Sequence, residues 1–202
     1  MTLLAQQLHQ HGVSLDRIAA DAEAVIIFGS RAAGCARADS DWDLLIIGRG
    51  RTRLGRGLDL VYIEPSVFRG DRWRSSELAG HVGHFGQTLA GDPDALTGLR
   101  EVEIGAEAIE RKHRQLHAQL RACEQFWASL ATWAQAKRQI RLRRDLQRHA
   151  RLLESDPVPP SAVLDREWAA RSARERPLLL RQWLANAELA AATGPWLDPA
   201  QN

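Results

Sequence analysis

The chain has 202 residues, a formal net charge of +2, and only two cysteines, Cys35 and Cys123. That length can bury a sizeable core as one large or two small domains. Two cysteines without framework or ligand spacing exclude a disulfide scaffold, and the absence of a signal-type leader or a long apolar run excludes a membrane span, so a cytoplasmic protein with reduced thiols is expected.

In chain order, Leu4, Leu8, Leu15 and Ile18 predict short helical turns around Gly12. The apolar run 24–28 predicts a buried strand, and Gly29 a turn into a short helix over 30–36. A second strand is expected over 42–47 and a third over 58–63, stopped by Pro65. Between them, residues 48–57 carry four arginines and four glycines and read as a solvated, hairpin-type connection. Residues 73–90 read as helical, closed by Gly91-Asp92-Pro93, and a domain boundary is expected near 91–100. Beyond it, Leu116, Leu120, Cys123, Trp127, Leu130 and Ala134 form one helical stripe, and Leu142, Leu146, Ala150 and Leu153 a second. Residues 155–160 break the helices, and a last helix is expected over 178–192, ended by Thr193-Gly194-Pro195. The fold class expected is α+β: a small mixed-sheet domain over residues 1–95, then an α-helical bundle domain over 96–202.

Residues 28–43 carry the chemistry. Gly29-Ser30 follows an apolar run, and Asp41-Trp42-Asp43 leads into the next; a third acid, Asp59, sits in the third run. On a strand, residues i and i+2 point to one face, so Asp41 and Asp43 project together, and a neighbouring strand bearing Asp59 would complete a three-carboxylate cluster. Magnesium prefers such hard oxygen ligands, and paired ions can clamp the attacking and leaving oxygens of an in-line displacement. Gly29 allows close backbone approach to a phosphate, and Ser30 is expected at the N-cap of the following helix. Arg31 lies within reach of a triphosphate oxygen, the plainer alternative being a solvated helix residue.

The Gly-Ser pair, the spacer, the Asp-x-Asp and the later third acid together resemble the DNA polymerase beta-like nucleotidyltransferase superfamily, in particular its minimal bacterial members. The likeness covers roughly residues 24–65. It implies Asp41, Asp43 and Asp59 as catalytic magnesium ligands and Gly29, Ser30 and Arg31 as the nucleotide-binding turn. It also implies an NTP substrate whose nucleoside monophosphate passes to a hydroxyl acceptor: an RNA 3′ end, a protein side chain, or a small molecule such as an aminoglycoside.

Charge is uneven along the chain. Residues 111–151 hold 11 Lys/Arg against 2 Asp/Glu, whereas residues 1–110 hold 11 against 16. Lys137, Arg141, Arg144, Arg148 and Arg151 fall on one face of an ideal helix. This stripe is either a solvated surface or a contact for RNA or a protein acceptor, which favours those acceptors over a small molecule. Arg144 and His149 also fit the loose Arg-x4-His pattern of HEPN-type ribonucleases, partners of minimal nucleotidyltransferases in toxin–antitoxin pairs, but an ideal helix sets them about 140° apart. A regulatory, antitoxin-like binding module is the other alternative, and self-association stays open. His81 and His84, three residues apart, read as packed or surface residues rather than metal ligands.

Overall fold

The computed structural model describes residues 3–189, 192 and 194–197. The chain divides into two compact units, Met1–Ile104 and Gly105–Asn202. The architecture is α+β, a four-stranded mixed sheet in the first unit and helices in the second. Among the described residues no helix is long and apolar enough to cross a membrane.

The first unit opens with α1 (Leu3–Gln10) and α2 (Leu15–Ala20), followed by β1 (Ala22–Phe28), the single-turn α3 (Gly29–Ala32), β2 (Trp42–Gly48) and β3 (Leu58–Ile63). Short helices α4 (Pro65–Phe68) and α5 (Asp71–Arg74) precede α6 (Glu77–Phe85) and β4 (Gln87–Gly91). The sheet order is β3-β2-β1-β4. β1 runs antiparallel to β2 and β4, and β2 runs parallel to β3. Side-chain alternation splits the sheet into two apolar faces. Val25, Ile27, Leu44, Ile46, Leu58 and Leu60 meet Leu4, Leu8 and Ile18 from α1 and α2. On the other face Ala24, Ile26, Phe28, Leu45, Ile47 and Ile63 meet Phe68, Val82 and Leu99. Cover on both faces explains why β1 and β2 are continuous apolar runs rather than alternating ones.

Three expectations are corrected here. Residues 73–90 are not one helix: Gly86 ends α6 in an extended conformation, and the chain pairs along β1 as β4. The 48–57 connection is not a hairpin, because β2 and β3 are parallel. It returns alongside β3 instead, where Arg53 exchanges two backbone hydrogen bonds with Leu60 and Thr52 Oγ1 accepts from the Tyr62 amide. That contact covers part of the outer edge of β3, which would otherwise present unpaired donors and acceptors. Finally, the compact units part at 104/105, beyond the expected 95/96.

The second unit contains α7 (Ala106–Phe126), α8 (Thr132–Leu153), α9 (Ser161–Ala169) and α10 (Glu175–Asn186). Leu116, Leu120, Cys123, Leu142, Leu146, Trp168, Leu180 and Leu184 close one core between them. Of the two expected stripes, the first ends at a 3-10 turn over Trp127–Ser129, and in the second Leu152 is buried in place of Leu153, which is 45% exposed. The final helix starts earlier than expected and stops at Asn186. Ala190, Ala191 and Thr193, in the expected helix end, lie outside the described residues.

Candidate active site

The site forms where β1 ends. Phe28 is extended, Gly29 turns the chain at φ +73°, and α3 begins at once. Phe28 lies opposite Asp43 on β2, and Asp43 lies opposite Asp59 on β3. Paired residues on neighbouring strands share a face, so Asp43 and Asp59 project to the side lined by Leu45, Ile47 and Ile63, and the residue parity places Asp41 there too. A Cβ at position 29 would stand 2.2 Å from Asp43 Oδ2, so only a glycine lets that carboxylate sit against the turn.

Burial and the neighbouring charges of Asp59 and Asp41 raise the Asp43 carboxyl to about 6, and the Arg31 guanidinium opposes them. Asp41 Oδ1 accepts from the Gly57 amide at 2.7 Å, and Asp59 Oδ1 accepts from the Gly55 amide at 2.9 Å. These two carboxylates thus hold the end of the 49–57 loop. Among the described residues, no group of three His, Cys, Asp or Glu side chains is gathered as a ready metal cage. Each of these bonds uses one oxygen of its carboxylate.

Ser30 is not the N-cap of α3; that position is Phe28, and Ser30 lies within the single turn, its carbonyl accepting from the Cys35 amide. Arg31 is committed to the loop before β2. Its Nε and one terminal nitrogen donate to the Ser40 carbonyl at 3.1 and 2.6 Å, and its guanidinium stacks 4.2 Å over the Trp42 ring. It braces the Asp41-Trp42-Asp43 segment rather than standing as a solvated helix residue. Arg49 and Arg53 line a cavity of about 240 Å³ with Ile46 and Tyr62. Ile46 belongs to the face opposite Asp43 and Asp59, so that depression is separate from the carboxylates. The Gly55 and Gly57 amides, which orient two of the three acids, had no signal beyond the glycine content of the loop.

In the second unit the basic stripe is largely neutralised from within. Arg144 forks onto Asp165 of α9, Arg148 reaches Asp145 and Ser161, and Arg151 reaches Asp156 and Glu167. Lys137 lies over Trp133, and Arg141 is well exposed, 3.9 Å from Asp145. Arg144 and His149 do not converge either: Arg144 is fastened to α9, whereas His149 is buried beside His113 of α7. The rings of His81 and His84 lie 5.3 and 6.3 Å from that of Phe85. No protein-family model and no curated protein matches the chain.

Proposed function

We propose that the chain is a nucleotidyltransferase that moves a nucleoside monophosphate from an NTP to a hydroxyl acceptor with release of pyrophosphate. The observation that carries this reading is the in-register pair Asp43–Asp59, with Asp41 on the same face, against a glycine turn that admits the Asp43 carboxylate. A carboxylate raised to about 6 by burial and by two neighbouring acids is a group that a cation would relieve, so the donor set fits magnesium. Asp41, Asp43 and Asp59 would hold it, and when bound it supplies neutralisation of phosphoryl charge and a lower acceptor pKa.

The chain's own residues do the positioning. Gly29 lets the Asp43 carboxylate lie against the turn, with Ser30 next to it in sequence. Arg31 fixes the segment that carries Asp41 and Asp43, and contributes positive charge beside them. Such a site works by orientation and charge stabilisation rather than by covalent steps of its own. The neutralised stripe weakens the reason to favour RNA or protein as acceptor, so acceptor class is left to experiment. Incubating the full chain with each α-labelled NTP, magnesium and cell lysate should label one class of acceptor and release pyrophosphate. Asp43→Asn should reduce the transfer by about a hundredfold to a thousandfold, the order that removal of a single preorganised charge-stabilising group costs; full transfer by a folded Asp43→Asn chain overturns the reading.

A further inference from the structure

A separate donor set lies in the second unit, where α7 meets the end of α10. His113 and His117 are one helical turn apart, and their Nε2 atoms stand 3.2 Å from each other. Both face the Ala187 carbonyl, at 3.0 Å from His113 and 3.1 Å from His117. Two imidazole nitrogens and one carbonyl oxygen therefore form a nearly equilateral triangle. A single Nε2–H given to the oxygen leaves the other nitrogen's lone pair facing two electron-rich atoms, while two Nε2–H groups fill the oxygen's two lone pairs but set like-polarised N–H groups side by side at 3.2 Å.

A cation over the triangle satisfies all three atoms together. Zinc–nitrogen bonds near 2.0–2.1 Å in tetrahedral geometry set donor atoms about 3.3 Å apart, close to the edges observed. Glu188 supplies a fourth donor. It follows the carbonyl directly and keeps a non-glycine residue at φ +58°, where a helix C-terminus ordinarily uses glycine or asparagine. Its side chain is 83% exposed, with Oε2 3.9 Å from His113 Nε2, so a change of rotamer can carry it in. Only two side-chain donors, His113 and His117, stand gathered beside the main-chain oxygen, and Glu188 joins them only by that rotamer change, which is why no three-side-chain group is found among the described residues.

We infer that His113, His117, the Ala187 carbonyl and Glu188 form a site for a zinc-class divalent ion that clips α7 to the C-terminal end of α10. The two imidazole donors are what favour a zinc-class ion over magnesium, which oxygen donors alone would suit. The site is independent of the aspartates of the first unit and of the proposed transfer reaction.

The test uses the tag-free full chain carrying Asp41→Asn and Asp43→Asn, so that the carboxylates of the first unit do not contribute. Equilibrium dialysis with cobalt(II) should show one bound ion whose visible spectrum reports imidazole ligation and which zinc displaces. His113→Ala and His117→Ala should each weaken binding by more than about a hundredfold, and Glu188→Gln by about tenfold. Equal cobalt binding by the parent chain and by the His113→Ala/His117→Ala chain overturns the site. A readout without further variants guards against misfolding: nitrogen-15 spectra of the imidazoles on zinc addition. Both rings should become Nδ1–H with Nε2 bound to metal; rings that remain Nε2–H, donating to Ala187, overturn the proposal equally.

Discussion

A methyl group at position 29 would stand 2.2 Å from Asp43 Oδ2, on a backbone at φ +73° that side chains rarely adopt. Gly29→Ala therefore meets two obstacles together, a clash and a left-handed backbone, of which only the clash can be relieved by moving the carboxylate away. The expected result is a loss of about 2 kcal/mol in a urea melt, together with loss of the proposed NMP transfer. Asp43 offers a finer test through pH. Its folded-state carboxyl, at about 6, lies above the ordinary 3.8, so its contribution to stability is complete below about 3.8 and is lost as pH rises through about 6. At pH 8 without metal, the ionised group costs stability. Asp43→Asn should then be more stable than the parent by about 1 kcal/mol, after allowance for the solvent that reaches the site, and the difference should vanish toward pH 4. Melts at both pH values in EDTA check this; added magnesium should stabilise the parent chain alone.

At the scale of elements, the join of α8 to α9 includes one carboxylate serving two guanidiniums. Arg143 is buried with its Nε unpartnered, and Asp165 binds both it and Arg144. Burial drives the Arg143 pKa down while Asp165 opposes that shift. Burial also pushes the Asp165 carboxyl up, but its bonds to Arg144 and Arg143 outweigh this and hold it low. Asp165→Asn leaves a buried cation without its counter-charge and should cost about 3 kcal/mol in a denaturant melt at pH 7. None of this was legible beforehand, because a helical wheel of residues 137–151 reports one helix and is blind to acids on the next. β2 and β3 were readable to within a residue because unbroken apolar runs flanked by turn residues leave little choice of element. β4 was hidden for the opposite reason: Gln87-Thr88-Leu89-Ala90-Gly91 has no alternation to mark a strand, and the open edge of β1 makes it one. The face of Asp59, which one residue of slippage would have reversed, follows from its register with Asp43.

At the scale of the molecule, Gly105–Asn202 carries 16 Lys/Arg against 11 Asp/Glu, yet formal charge overstates what a polyanion would meet. Of the five stripe cations, Arg144, Arg148 and Arg151 are paired with acids or capped by Ser161, whereas Lys137 and Arg141 keep mostly exposed side chains. Counterion release counts only cations that reach phosphate, at about 0.7 per contact in the salt slope for a single strand. Any single-stranded RNA held by the full chain through this face should then lose about 1.4 from the slope of log affinity against log salt in Lys137→Gln/Arg141→Gln. Arg151→Gln should leave the slope unchanged, because its charge is spent on Asp156 and Glu167. A fluorescence-anisotropy titration across salt concentrations separates the outcomes. A fall of about 0.7 in Arg151→Gln would mean that RNA displaces the intramolecular acids, so that α9 acts as a competitor for the stripe rather than as its permanent partner.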